Sequence, residues 1–169
     1  RDIIRIISPG TVVENSLLPE GNHNYLAALF SRKGDWGFCY TDISTGEFKA
    51  TEFTTENGEE KDRIFDEIFR VQPKEILIPQ KLYDSESFRF RLKKVFQGLV
   101  SPLPDSDFRY TSAEAVLMEQ FQLETIDSLF LPELSVIVAG ATITFLNRTQ
   151  KRYLSYLSKI DYYSGNTFM

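Results

Sequence analysis

The amino-acid sequence predicts an α/β domain in which a mixed β-sheet is flanked by helices. Three apolar runs with alternating character lie within residues 25–54, separated by short turn signals, which indicates an antiparallel meander. From residue 59 onward, segments with helical spacing alternate with short apolar runs, which indicates βα units. Because 42% of the 169 residues are hydrophobic and 14% are aromatic, the chain has enough apolar surface for one compact core.

The second and third strands of the meander are predicted over residues 36–43 and 47–54, after a first strand over 25–31. The turn between them contains Asp42, Ser44, Thr45 and Gly46. Gly46 can adopt a positive φ, and the polar side chains of the other three can close a turn on the backbone. We therefore interpret these four residues as a structural hairpin turn that sets the register of the two strands.

Four later segments have the spacing of amphipathic helices. They cover residues 59–71, 85–96, 112–121 and 133–150. Ser112 is the predicted N-cap of the third helix, and Pro132 is well placed just before the fourth. A short helical turn is predicted over residues 124–131.

Short apolar runs separate these helices. Residues 75–79 and 99–103 predict a fourth and a fifth strand, and within residues 153–169 the runs 161–163 and 167–169 predict a hairpin around residues 164–166. Three antiparallel strands followed by βα units are the order of a ribonuclease H-like mixed sheet. The sequence therefore predicts that fold, which by itself carries no function.

Asp42 also permits a catalytic hypothesis, because a strand-end carboxylate beside a small polar loop can hold metal or phosphate. On this alternative the chain is a metal-dependent ribonuclease H-like nuclease or phosphotransferase. Two-metal chemistry needs further carboxylates that converge on the first one. Glu52, Asp66 and Asp84 are candidates, but the predicted strand 75–79 ends without a carboxylate. The turn interpretation is therefore favoured.

Composition argues against several functional classes. The net charge of −5 disfavours binding to a phosphate backbone, and the basic cluster of Arg89, Arg91, Lys93 and Lys94 predicts at most a weak contact. One cysteine and one histidine argue against metal sites built from these residues. The chain has no glycine-rich nucleotide loop and no apolar run of membrane-spanning length. We predict no cofactor, no metal and no membrane partner within these residues.

Five segments together resemble the MutS family of mismatch-repair ATPases. They are residues 5–11, 24–29, 42–48 and 73–77, and Ala139-Gly140-Ala141 followed by Thr149 and Gln150. Their order and spacing are similar to those of the family's connector domain, over nearly the whole chain. The resemblance implies a connector over residues 1–150 and the truncated start of the core (lever) domain over 151–169, as a piece of a longer protein.

The resemblance implies a non-catalytic module in a DNA mismatch repair protein. In the family, the connector joins the mismatch-binding domain to the core and offers a docking surface to MutL. The parent protein would bind mismatched DNA, and would bind ATP and magnesium in an ATPase domain outside these residues. The implied location is the bacterial cytoplasm, at the nucleoid when the protein is bound to DNA.

The MutL contact that the resemblance implies lies near the start of the predicted helix 112–121. Glu114, Ala115 and Val116 occupy that region. One family member carries paired glutamines where this chain has Ala115 and Val116, so the resemblance transfers the region rather than the contacts. The implied partners are a MutL-like protein and the neighbouring domains of the same chain, with at most a weak DNA-backbone contact.

Overall fold

The three strands of the predicted meander pair with one another in the computed structural model, which describes residues 23–54 and 62–164. They are β1 (Leu26–Arg32), β2 (Asp35–Asp42) and β3 (Glu47–Phe53). Both pairings are antiparallel. Because Asp42 lies directly opposite Glu47, the four residues between them form a tight turn. Residues 1–22, which include the segment 5–11 of the family resemblance, lie outside the described residues.

Three further strands complete the sheet, each through a parallel pairing. β4 (Glu75–Pro79) pairs with β1, β5 (Leu99–Leu103) pairs with β4, and β6 (Asp161–Tyr162) pairs with β3. The resulting strand order is β5-β4-β1-β2-β3-β6. The predicted fold class, a ribonuclease H-like mixed sheet flanked by helices, is confirmed.

Helices cover both faces of this sheet. They are α1 (Arg63–Val71), α2 (Gln80–Tyr83), α3 (Glu86–Lys93), α4 (Tyr110–Phe121) and α5 (Glu133–Thr149). The buried residues of α1 and α3 share a core with one face of the sheet, and those of α4 and α5 share a core with the other face. Each face therefore carries its own pair of helices.

The predicted helix over residues 133–150 is confirmed as α5, although many of its residues are β-branched. It is buried along most of its length, from Leu134 to Leu146. A Cβ atom at Gly37 would lie 2.7 Å from the carbonyl oxygen of Leu134, so glycine at this position of β2 lets α5 begin directly on the sheet. Burial against the sheet outweighs the modest helix propensity of its side chains.

The prediction that Ser112 caps the third helix is wrong. α4 begins two residues earlier, at Tyr110, and Arg109 is its N-cap. The backbone N–H of Ala113 donates to the Arg109 carbonyl at 2.9 Å, which places Ser112 inside the first turn. Tyr110 packs against the core, and this burial favours its inclusion in the helix.

The helix predicted over 85–96 is shorter than expected. α3 begins after Ser85, whose hydroxyl accepts from the Phe88 N–H at 3.3 Å, and ends at Lys93. The short helix α2 before it was not predicted.

A 3₁₀ helix at Ile126–Leu129 occupies the predicted turn 124–131. Residues 59–61 of the first predicted helix lie outside the described part of the chain.

The structure describes the first arm of the predicted C-terminal hairpin, residues 161–163, in which Asp161–Tyr162 form β6 and pair in parallel with β3. Residues Lys151–Tyr156 before it form a 3₁₀ helix. The predicted second arm, after residue 164, lies outside the described residues. A two-residue strand has too little local pattern to reveal its distant partner.

Candidate functional site

The turn between β2 and β3 satisfies its own polar groups. The Asp42 Oδ1 atom accepts hydrogen bonds from the Ser44 backbone N–H at 3.0 Å and from the Ser44 hydroxyl at 2.6 Å. The Asp42 carbonyl accepts from the N–H groups of Thr45 at 3.2 Å and Gly46 at 2.8 Å. Gly46 has a φ of 85°, a conformation that favours glycine. This is the geometry of an Asx turn.

The second carboxylate oxygen of Asp42 connects the turn to the residues before β1. Oδ2 lies 3.3 Å from His23 Nδ1, and the His23 ring stacks on Tyr25 with centroids 4.8 Å apart. The Tyr25 hydroxyl donates to Glu47 Oε1 at 2.8 Å. Burial, and then the neighbouring Glu47 carboxylate, raise the pKa of Tyr25. Both oxygens of Asp42 therefore make contacts that hold the turn.

The other carboxylates considered for catalysis lie on separate elements. Glu52 is in β3, near the end away from the turn, where its Oε2 atom accepts from the Leu134 N–H at 2.7 Å at the start of α5. Asp66 is on α1, and Asp84 follows α2 and accepts from Gln80. Within the described ranges, no group of three or more acidic, histidine or cysteine side chains could hold a metal ion.

Open α/β sheets bind ligands at the carboxyl ends of their parallel strands. Asp42 lies at the other end of this sheet. The register places Asp42 beside the amino ends of β1 and β3. The crevice at the carboxyl ends, with a volume of about 490 Å³, is lined by Phe30, Ser31, Pro79, Lys81, Leu82 and Asp105. Asp105 is the one carboxylate among these lining residues, and it accepts from the Lys81 N–H at 3.0 Å.

The residues predicted to contact MutL lie on α4. Ala115 is exposed, whereas Glu114 and Val116 are half-buried. Val116 lines a groove of about 310 Å³ between α4, α5 and the 3₁₀ helix that follows α5; the other lining residues are Glu119, Gln120, Ile143, Asn147, Lys151 and Leu154. The Gln120 side-chain amide donates to the carbonyls of Leu154 and Leu157 at 2.8 and 2.9 Å, which fixes the far wall of this groove.

Three of the four basic side chains predicted on helix 85–96 contact residues of this same domain. Arg91 pairs with Asp62 and lies over the Phe65 ring. Arg89 lies over the Tyr83 ring at 5.5 Å, and the Lys94 ammonium lies 4.7 Å from the Phe90 ring centroid. Of these contacts, the pairing of Arg91 with Asp62 offsets one positive charge that α3 could offer to a phosphate backbone.

Sequence reasoning missed a buried polar cluster that joins α1 to the end of β6. The Glu67 carboxylate, which is buried, accepts from Arg70 Nε at 3.0 Å and from the Tyr163 hydroxyl at 2.6 Å. Burial, and then Glu67, raise the pKa of Tyr163. The spacing of Glu67 and Arg70 on a helix predicts an ion pair. No local pattern predicts the contact with Tyr163.

No helix in residues 23–54 or 62–164 combines the length and the apolar character needed to cross a membrane.

A family model and individual relatives match this chain to the same family. The family model described as MutS domain II matches residues 24–161. The DNA mismatch repair protein MutS of Halothermothrix orenii is 33% identical over 177 residues, and that of Alkaliphilus oremlandii is 33% identical over 168 residues. The corresponding protein of Methanococcoides burtonii is 31% identical over 171 residues.

These alignments cover 97 to 100% of the chain but only 18 to 19% of each relative. The chain therefore spans about a fifth of the length of the curated relatives it matches. The match over residues 24–161 includes the five helices and the six strands described above, except for the last residue of β6. On this basis the chain belongs to the MutS domain II family.

Proposed function

We propose that this chain is the non-catalytic connector module of a MutS-like DNA mismatch repair ATPase. It links the mismatch-binding domain to the core and offers a docking surface to a MutL-like protein. The parent protein binds mismatched DNA, and it binds ATP and magnesium in a domain outside these residues. Family membership supports the proposal, as do the contacts of both Asp42 oxygens, Oδ1 with Ser44 in the turn and Oδ2 with His23.

The division of the chain at residue 150 belongs to the same proposal, with 1–150 as connector and 151–169 as the start of the core (lever) domain. The first part of that second segment is attached to the connector. Gln120 of α4 donates to the carbonyls of Leu154 and Leu157, and β6 pairs with β3. A rigid attachment of this kind suits a module that transmits movement from one neighbour to the other.

The groove beside α4 is the observation that carries the docking assignment. It brings Val116, from the region implied by the family resemblance, together with residues of α5 and of the following 3₁₀ helix. Apolar side chains such as Ile143 and Leu154 lie between polar ones such as Asn147 and Lys151. A concave surface of mixed polarity is typical of a transient protein contact.

Direct titration of a MutL-like protein against the 169-residue chain tests this assignment. Ala115→Arg is the informative variant, because Ala115 is exposed, directly precedes the groove-lining Val116 on α4, and can take a larger side chain without disturbing the core. We expect it to weaken binding. Glu86→Arg, an exposed change on α3 at the other face of the sheet, is the matched control and should bind as the parent sequence does. Equal binding by Ala115→Arg and the parent sequence would contradict the docking surface.

We propose at most a weak contact between α3 and the DNA backbone, because the chain has a net charge of −5 and Arg91 is already paired with Asp62. Such a contact is independent of sequence and decreases with added salt. Absence of DNA binding at low salt would contradict this proposed contact. A cytoplasmic location, at the nucleoid when the parent protein is on DNA, belongs to the same proposal.

A further inference from the structure

The turn between β2 and β3 lies directly against the segment that follows α5. A Cβ atom at Gly46 would lie only 2.8 Å from the carbonyl oxygen of Tyr156, so a larger residue in the turn would displace that backbone. Glycine is therefore needed here for this close approach as well as for its φ of 85°. The hydrogen bonds that Asp42 makes inside the turn hold it in shape. The turn thus forms a firm support for the segment.

A second contact holds the same segment from α4. The Gln120 side-chain amide donates to the carbonyls of Leu154 and Leu157, which lie on either side of Tyr156 in the sequence. Leu157 is buried in the core that α4 and α5 share with the sheet. The backbone carbonyls of residues 154–157 therefore contact both the β2–β3 turn and α4.

This segment forms one wall of the groove proposed to receive a MutL-like protein. Lys151 and Leu154 line that groove, and Val116 of α4 lines it from the other element. The turn residues 42–46 are not among the lining residues. The shape of the groove depends on the position of the segment, and the turn is one of the two supports that determine this position. The turn can therefore influence the groove without being part of it.

We propose that Gly46 is a positioning residue for the docking groove. By accommodating the carbonyl of Tyr156, the turn holds the segment so that Lys151 and Leu154 lie beside α4. The inference rests on the proposed function, in which this groove receives a MutL-like protein. It gives the β2–β3 turn a role in partner binding, in addition to its role in strand register. Displacement of the segment separates the two walls, which lowers the affinity for a partner that contacts both.

Gly46→Ala in the 169-residue chain tests this role, with Gly34→Ala as the matched control. Gly34 also has a φ of 85° and lies in the turn between β1 and β2, but a Cβ atom there would meet no atom beyond its chain neighbours within 4 Å. Both variants carry similar backbone strain, and only Gly46→Ala disturbs Tyr156. We expect Gly46→Ala to weaken binding of a MutL-like protein about tenfold, a typical size for coupling between sites. Gly34→Ala should bind as the parent sequence does.

A second pair of variants separates the contact from the strain. Asparagine adopts a positive φ more readily than alanine, so Gly46→Asn adds the same Cβ atom at a smaller cost in stability. It should weaken binding as Gly46→Ala does, whereas Gly34→Asn should not. This pair decides the question even where Gly46→Ala fails to fold. Full binding by Gly46→Asn, or an equal loss in Gly34→Asn, would overturn the positioning role.

Hydrogen exchange of the chain alone reports on the segment without any partner. The Leu157 N–H donates to the Leu154 carbonyl at 3.0 Å, so its exchange measures whether the segment keeps its place. We expect faster exchange in residues 151–157 of Gly46→Asn than of Gly34→Asn. Equal exchange in the two variants would overturn the positioning role alone. Absence of MutL binding by the parent sequence would instead overturn the docking assignment on which it rests, so the two proposals can fail separately.

Discussion

The Tyr163 hydroxyl donates a hydrogen bond of 2.6 Å to Glu67 Oε2, although the two residues are 96 positions apart. The Tyr163 backbone N–H also donates to the Ala50 carbonyl at 3.0 Å, next to the pairing of β6 with β3. Together these bonds hold the last described residues against α1 and the sheet. Because burial raises the pKa of Tyr163, the folded chain keeps this hydroxyl protonated.

The first prediction is a loss of stability at alkaline pH. The unfolded chain releases the Tyr163 proton near the ordinary tyrosine value of about 10, whereas the folded chain retains it. Tyr163 therefore makes its full contribution to the free energy of unfolding below about pH 10, and this contribution decreases as the pH rises further. Tyr163→Phe should reduce this pH dependence in urea denaturation.

Tyr156→Phe, at an exposed tyrosine, is the control for the alkaline experiment and should leave the dependence unchanged. The same alkaline loss in Tyr163→Phe and the parent sequence would contradict the role given to the Glu67 contact.

The second prediction concerns the contact between α4 and α5. A Cβ atom at Gly140 would overlap the Cα and Cβ atoms of Ala113, so the two helices cross where both residues are small. We expect Gly140→Ala to lower the free energy of unfolding by about 1–3 kcal/mol, because overpacking forces the helices apart. Asn147→Ala, at an exposed position of the same helix, should have little effect. A stabilised Gly140→Ala variant would show that the crossing is looser than described.

The third prediction separates the turn role of Asp42 from a catalytic role. Asp42→Ala removes the acceptor for both Ser44 bonds and should lower the free energy of unfolding by about 1–3 kcal/mol. Asp42→Asn keeps an oxygen for those bonds and should retain most of the stability. Magnesium-dependent cleavage of nucleic acid by the parent sequence, abolished in Asp42→Asn, would instead support the nuclease alternative.

The fourth prediction is that the Cys39 thiol is unreactive in the folded chain. Cys39 is fully buried in β2, its sulfur lies 3.2 Å from the Thr142 hydroxyl of α5, and burial raises its pKa to about 12. The thiolate is the reactive species, so labelling should occur only after unfolding. A thiol reagent applied with and without urea measures this. Rapid labelling in the absence of urea would mean that α5 separates from the sheet.

Local patterns were sufficient to predict the meander and α5. Alternation and turn residues determine β1 to β3, because each strand pairs with its neighbour in sequence. In contrast, β6 has two residues, and its pairing with β3 depends on contacts such as that between Tyr163 and Glu67. Sequence spacing carries no information about partners so far apart.

The candidate functional surfaces also divide into those made by local contacts and those made by distant ones. The turn at Asp42 was predictable because its hydrogen bonds join residues two to four positions apart. Glu52 accepts from the N–H of Leu134, 82 positions away, so its role at the start of α5 was not predictable. The groove beside Val116 combines several elements, and only the three-dimensional fold brings its residues together.

Recruitment of a MutL-like protein by the full-length parent protein on mismatched DNA would decide whether this domain is a docking connector. Mismatch binding and ATP hydrolysis are measured in the same preparation. We predict that Ala115→Arg reduces recruitment while both other activities persist, since Ala115 is exposed and its substitution leaves the core intact. Full recruitment by this variant, or loss of mismatch binding together with recruitment, would contradict the proposed function.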